Sequence, residues 1–469
     1  MFHRVVMYSD LYYPITHIAY LNFIIMHETR EDRRLRPRRR GGLSLLPLLF
    51  LVLLMGGIGW GAGDFSQIPM TIVFLFTSVA ALFTLRGYSV EERLAIFSRG
   101  AGSKELLLMV WIFVLAGAFA KSAQAMGAVS ATVDLTLLFL PDSILLAGLF
   151  FAACVVSLCV GTSVGTIVAL VPVASEMAVR TGQTLPLLVA AVVGGSFFGD
   201  NLSFISDTTV AATRTQGCSM RDKFRTNFRI VFPAALLCFL IYVGIGMEGK
   251  PTTAAVSFDA HLFRVLPYLV VFVAAVSGLN VLLVLSLGIL LTGLVGIVEG
   301  SYTWHGWLLS LSQGVAGMGE LILISMMAGG LLAVVRKGGG VTWLVRGLTR
   351  RVHSRKGAEC CISALVSMTN CCTANNTVAI LSIGSIARDI SRRYGVGSRR
   401  AASLLDIFSC IVQGILPYGA QLLMASGLAL ISPVQIIPYL YYPFLLLIAV
   451  AISIAFQKEK KTPKLHSIT

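Results

Sequence analysis

Four polar, small-residue segments interrupt otherwise apolar stretches of this 469-residue chain, and they hold the side chains best suited to chemistry. They are Gly161-Thr162-Ser163-Val164-Gly165-Thr166; Gly199-Asp200-Asn201-Leu202-Ser203-Phe204-Ile205-Ser206-Asp207-Thr208-Thr209; Thr369-Asn370-Cys371-Cys372-Thr373-Ala374-Asn375-Asn376-Thr377; and Gln413-Gly414-Ile415-Leu416-Pro417-Tyr418-Gly419-Ala420-Gln421. Hydroxyls, amides and carboxylates dominate them, the oxygen donors that hard cations take. The candidate binding residues are Thr162, Ser163, Asp200, Asn201, Ser203, Ser206, Asp207, Thr208, Asn375, Asn376, Thr377, Asp406, Gln413 and Tyr418. Asp200, Asp207 and Asp406 are the carboxylates expected to hold a sodium ion. Backbone carbonyls freed where helices break would complete the shell, and half-helix N-termini could instead hold an anionic group.

An acid at membrane depth is costly and usually functional. A proton and a metal cation compete for such a group, and that competition is an exchange mechanism. Each candidate also has a plainer reading. Asp200 and Asp207 could cap helices inside the broken segment, and Asp406 could pair with Arg399 or Arg400. Adjacent Asn375 and Asn376 are common caps, and Tyr418 beside Pro417 could simply pack. Glu320 and Lys121 read as helix-end charges whose stems lie along apolar surface.

Such segments need a scaffold that holds them at depth, and bulk composition identifies it. Apolar residues make up 56% of the chain and charged ones 13%, with a mean hydropathy of +0.83, against roughly 25% charged in an ordinary soluble domain. Apolar stretches of about 16 to 20 residues recur between Leu43 and Phe456, each near the length that crosses ~30 Å of hydrocarbon as a helix. They do not alternate apolar with polar residues, which sets aside a lipid-facing barrel. Unpaired backbone groups are expensive in hydrocarbon, so a helix breaks at depth only where it lines a cavity or meets a ligand.

The net charge of +15 sits in short loops and at the ends of the chain. Clusters occur at Arg33 to Arg40, at Arg221, Lys223, Arg225 and Arg229, from Arg346 to Lys356, from Arg388 to Arg400 and from Lys458 to Lys464. Lys and Arg are retained on the cytoplasmic side of membrane proteins, so the clusters read as topology signals and not as a nucleic-acid surface. Crossings are expected near 43–60, 68–85, 105–122, 185–212, 228–246, 263–277, 280–298, 319–335, 401–427 and 436–456. Two further stretches, 143–180 and 358–390, are broken in the middle and read as hairpins that enter and return. Both termini then lie inside. Residues 1–42 form a basic cytoplasmic segment whose start, Met1 or Met26, stays open; 43–456 form the transport domain, and 457–469 a basic cytoplasmic tail.

The loop from Ser122 to Asp142 contains Asp134 and Asp142 but no Lys or Arg, so the first hairpin should open outward. The second is flanked by basic segments and should open inward. Weak internal similarity agrees: Leu115-Ala116-Gly117-Ala118 with Met327-Ala328-Gly329-Gly330, Thr166-Ile167-Val168 with Thr377-Val378-Ala379, and Ala190-Ala191 with Ala401-Ala402, at nearly constant spacing. The expected fold is an all-α polytopic membrane protein of about ten crossing helices plus two broken hairpins in an inverted repeat, with units near 105–212 and 319–427. That plan recurs in secondary transporters.

Other chemistries lack their signatures. The nine cysteines lie in or near apolar helices without paired C-x-x-C spacing or a His partner and read as small hydrophobes. Gly61-Ala62-Gly63-Asp64 has the form of an intramembrane aspartyl protease element, yet no Tyr-Asp partner occurs. No G-x-x-x-x-G-K-[ST] loop is present for ATP. No enzymatic activity and no cofactor are expected.

At Gly161 to Thr166, Gly199 to Thr209, Thr373 to Thr377, Ala402-Ser403-Leu404-Leu405-Asp406, Gln413-Gly414 and Pro417 to Gln421, the chain resembles the NhaC-type sodium/proton antiporters of the ion transporter superfamily. The resemblance implies sodium/proton exchange across the inner (plasma) membrane, with sodium, protons and lipid as partners and with Asp200, Asp207 and Asp406 at polar family positions. A homodimer is compatible with it. Where many members resemble G-D-K-x-S-P, this chain has Asn201 and Phe204, so a lysine charge and a proline are absent. Relatives of that family also exchange organic acids or carry amino acids with sodium, which makes coupled transport of a small organic solute the alternative.

Overall fold

The computed structural model describes residues 41–62, 69–139, 141–204, 206–248, 262–277, 279–350 and 352–457. Nearly all of the expected basic N-terminal segment and of the basic tail, and Asp64, lie outside them. Among the described residues every regular element is a helix. The first half comprises α1 (Leu46–Ala62), α2 (Met70–Thr84), α3 (Val90–Ala101), α4 (Lys104–Ala125), α5 (Ala128–Phe139), α6 (Asp142–Val160), α7 (Ser163–Thr181), α8 (Leu185–Leu202), α9 (Asp207–Gln216) and α10 (Met220–Glu248). The second comprises α11 (Leu266–Val276), α12 (Val281–Val298), α13 (Trp304–Gly317), α14 (Gly319–Lys337), α15 (Gly340–Thr349), α16 (Arg355–Thr373), α17 (Asn376–Arg393), α18 (Ser398–Ile415), α19 (Ala420–Ala429), α20 (Pro433–Ile436) and α21 (Tyr441–Ala455).

Nine helical stretches in the described residues are long and apolar enough to cross a membrane, or ten if the bent pair Pro433–Tyr439 and Tyr441–Ala455 is one span. The count matches the expectation, but its membership differs. Both arms of the first hairpin, Ser143–Val160 and Ser163–Thr181, qualify on their own, whereas Met70–Thr84 and Phe263–Ala274 are shorter. A helix of 19 residues such as α7 is ~28 Å long, so each arm of the first hairpin is as long as an ordinary crossing.

All four polar segments break helices where expected. Gly161 closes α6 at φ 72° and Ala374 closes α16 at φ 48°, both left-handed. Their amides reach back to the Ser157 and Asn370 carbonyls at 2.9 and 2.8 Å. The starts of α6, α7, α8 and α9 are followed at one constant offset by those of α16, α17, α18 and α19. The two sets interlock: α9 packs on α17, and α19 packs on α7.

The core centres on α8, where Leu187 to Val193 are all buried. Its glycines set the approach distance. A Cβ on Gly199 would run into the Ser157 side chain and backbone, and one on Gly195 would meet the Phe150 carbonyl at 2.6 Å. Small residues at such crossings let backbones pack closely where lipid supplies no hydrophobic drive. Val52 and Leu53 on α1, Leu283, Leu290 and Leu294 on α12, and Leu236 and Leu240 on α10 face outward as the apolar belt.

Candidate functional site

The broken ends of α7, α8, α16 and α18 converge on one polar region. Asp200, in the last turn of α8, accepts the backbone N–H of Ser163 at 3.1 Å through Oδ1. Ser163 opens α7, so the carboxylate lies at a helix N-terminus, where negative charge is favoured. The Ser163 hydroxyl accepts from Gln421 Nε2 at 3.0 Å, at the start of α19. Gln413 Nε2 in turn donates to Gln421 Oε1 at 2.9 Å and to the Ala374 carbonyl at 3.0 Å. A continuous hydrogen-bonded chain therefore runs from the tip of one hairpin to the tip of the other and ends on a buried acid.

A second polar cluster begins at the next peptide. The Asn201 carbonyl accepts Lys223 Nζ at 2.7 Å and Asn227 Nδ2 at 2.8 Å. Lys223 and Asn227 lie one turn apart on α10, and both also reach Asp406 Oδ2 at 2.8 Å. Lys223 Nζ further contacts the Thr209 hydroxyl at 2.6 Å. Thr208 and Thr209 point their hydroxyls at the Asp200 carbonyl at 3.4 and 3.5 Å, and Ser206 bonds Thr208 at 2.8 Å. Asp406 is fully buried and Asp200 is 4% exposed.

Acceptor oxygens are in surplus. Asn201 Oδ1, Asn227 Oδ1, Asn370 Oδ1, Asp406 Oδ1 and Gln413 Oε1 are buried with no hydrogen-bond partner. An unpartnered buried acceptor costs about 1–3 kcal/mol, a cost that a donor such as water or a bound cation relieves. Among the described residues no group of three His, Cys, Asp or Glu side chains gathers as a metal site. The available set is one of mixed carboxylate, amide, hydroxyl and carbonyl oxygens.

The remaining candidates divide by what they touch. Asn375 Oδ1 accepts the Val378 amide at 3.0 Å and caps α17, and Asn376 Oδ1 accepts the Thr377 amide at 3.0 Å. Thr162 serves through its carbonyl, which accepts the Thr166 hydroxyl at 3.1 Å. Tyr418 donates to the Cys371 carbonyl at 2.8 Å, tying the break after α18 to the neighbouring hairpin arm. Ser203 is buried beside the break. Glu320 accepts from Thr71 at 2.7 Å and Lys121 donates to Gln124 at 3.1 Å, both at exposed positions in keeping with helix-end charges.

Three expectations are corrected. Asp207 is exposed, at the first turn of α9, where the helix's N-terminal amides favour its charge without burial; it remains within electrostatic reach of Asp200. Asp406 pairs with neither Arg399 nor Arg400. Arg399 is exposed and Arg400 meets buried Glu359 at 3.0 Å, because Arg400 lies near the start of α18 and Asp406 more than a turn further in. Lys223 is not a loop charge. Helix α10 begins at Met220, ahead of the expected 228, and its inward stripe carries Lys223, Asn227, Val231, Cys238 and Tyr242, while Arg221, Arg225 and Arg229 face outward. The spacing of Arg221, Arg225 and Arg229 every four residues, with Lys223, Asn227 and Val231 on a second stripe of the same period, was the signal that could have separated Lys223 from its neighbours.

Residues 44–247 and 252–457 match the model of the Na+/H+ antiporter family. The chain is 20% identical over 451 residues to the malate-2H+/Na+-lactate antiporter of Bacillus subtilis, covering 88% of this chain and 94% of that protein. It is 24% identical over 437 residues to the Na+/H+ antiporter NhaC of the same organism, covering 84% and 92%. With NhaC of Alkalihalophilus pseudofirmus the identity is 23% over 434 residues, covering 83% and 89%. With its membrane-spanning helices interrupted by polar segments and a family match over nearly its whole length, this chain is a multi-pass secondary transporter and belongs to the sodium/proton antiporter family.

Proposed function

We propose that this protein exchanges sodium for protons across the inner membrane, the two ions competing for the carboxylates of Asp200 and Asp406. The observation that carries the reading is the pair of buried acids joined through the Asp200–Asn201 peptide and surrounded by unpartnered acceptor oxygens. A sodium ion would be held by oxygen donors of this kind, including carbonyls left free at the helix breaks. Asp207 serves as an accessible acid near the same break. The two helix sets run in opposite orientations, with both termini cytoplasmic, and alternating access moves them about the central polar chain.

The test is sodium-dependent collapse of a preformed pH gradient in everted membrane vesicles, comparing wild type with Asp200→Asn and Asp406→Asn at matched expression. Loss of the sodium response in both variants is expected. A wild type that responds to no alkali cation sinks the reading. Coupled transport of a small carboxylate is the second reading, supported by similarity to the Bacillus subtilis protein named for malate and lactate exchange; malate and lactate added to the same vesicles separate the two.

A further inference from the structure

We propose that Gln413 sets how many cations this protein carries: its side-chain NH2 fills, in the second half of the fold, the place that a cation takes at Asp200 in the first. The proposal rests on the sodium-exchange reading and adds the number of ions to it. Asp200 on α8 and Gln413 on α18 are related by the same offset as the helix starts. The surrounding contacts repeat with them. Ser157 Oγ donates to the Ser196 carbonyl at 2.6 Å, and its counterpart Asn370 Nδ2 donates to the Ser409 carbonyl at 2.7 Å. Ser196 Oγ and Ser409 Oγ each donate to the carbonyl three residues back, at 2.7 and 2.9 Å. The left-handed Gly161 and Ala374 close the two hairpin arms in the same way.

At the tips the two halves part. In the first, Thr162 makes no side-chain cap on α7, and the Ser163 amide is met instead by the Asp200 carboxylate. In the second, Asn375 caps α17 from within its own hairpin, which releases position 413 from that task. Gln413 Nε2 donates to the Ala374 carbonyl at 3.0 Å and to Gln421 Oε1 at 2.9 Å. A backbone carbonyl only accepts, so the nitrogen of the amide faces these two oxygens. Carbonyl and amide oxygens are ligands that a hard cation takes, and here N–H groups already hold them. Gln413 is one methylene longer than Asp200, and Gly419 supplies the room: a Cβ there would lie 3.0 Å from the Gln413 carbonyl and 3.1 Å from Nε2. The counterpart of Gly419 in the first half is Ser206, whose side chain bonds Thr208.

The same amide aligns the first half. Because Gln421 accepts through Oε1, its Nε2 points at the Ser163 hydroxyl, 3.0 Å away, on the residue whose amide Asp200 accepts. Of the two buried acids at the breaks, Asp406 already faces Lys223 at 2.8 Å. Asp200 faces the start of α7, which offers only a partial positive charge. The mobile cation therefore has its place at Asp200, and the second half holds none.

The experiment counts sodium bound to purified full-length protein by equilibrium dialysis with radioactive sodium, in detergent at alkaline pH where protons compete least, with choline as the background salt. Wild type should bind about one ion per chain, held by the oxygens around Asp200, and Asp200→Asn none. Gln413→Glu puts a carboxylate where the amide sits and should double the wild-type count. Asp200→Asn combined with Gln413→Glu should return it to the wild-type count, the ion now lying in the second half. A purely structural glutamine gives a different pattern: Gln413→Glu keeps the wild-type count and the double variant binds none. Either result in folded protein overturns the proposal. Should the glutamate variants fail to fold, the wild-type count decides, since two ions per chain overturn it. Wild type that binds no sodium fails at the earlier step and removes the sodium-exchange reading itself.

Discussion

Replacing Asp406 with asparagine removes the charge that faces Lys223 and keeps the side chain's size. At 2.8 Å the two charges attract by ~6 kcal/mol with an effective dielectric of about 20. Most of that attraction offsets the cost of burying both ions. The variant loses the attraction while the ammonium stays buried, which places the net destabilisation at about 3–5 kcal/mol. The Asn201 carbonyl and Thr209 hydroxyl still hold Lys223, so the lower end of that range is expected. The assay is unfolding by sodium dodecyl sulfate titration in mixed micelles, followed by tryptophan fluorescence in sodium-free buffer. Asp406→Leu combined with Lys223→Met removes both charges and should recover about 2 kcal/mol or more relative to the sum of the single variants. A stability within about 0.5 kcal/mol of wild type for Asp406→Asn, a size ordinary for surface changes, or strict additivity in the double variant would show that the two groups are not a buried pair.

Gly199→Ala should disrupt the α6–α8 crossing, because the new methyl group runs into Ser157; a loss of about 1–3 kcal/mol or more is expected, read as a reduced monodisperse peak in fluorescence-detected size exclusion. Asn375→Ala removes the oxygen that accepts the Val378 amide and should cost about 1 kcal/mol in the same detergent titration, with sodium exchange retained if the residue is only a cap.

Two buried ion pairs link distant parts of the chain, and they differ in setting. Glu359 on α16 receives Arg400 Nε and Nη2, both at 3.0 Å, while Arg400 Nη1 reaches Ser453 on α21 at 2.9 Å. That pair ties three helices together at the start of α18 with all its partners fixed on helices. The Lys223–Asp406 pair instead lies against a helix break, where Lys223 also reaches the Asn201 carbonyl and the Thr209 hydroxyl.

The sequence by itself determined the class of protein and the places where its helices fail. Hydropathy, helix length and small polar interruptions are carried by neighbouring residues, so they survive without knowledge of packing. Each of the four polar segments does end one helix and begin another, and Asp200 and Asp406 are buried. The tertiary structure alone decided which side chains meet at those breaks. Lys223 reads as one more cytoplasmic charge until the rotation of α10 turns it inward with Asn227 and leaves Arg221, Arg225 and Arg229 outside. Gln421 and Ser163, from opposite halves, meet only because α19 packs on α7. Asp207 carries the same carboxylate as Asp200, yet one residue closes a buried helix and the other opens an exposed turn. Partner choice depends on the rotation and approach of whole helices, set by many contacts far apart in the chain, and no local pattern of residue types encodes it.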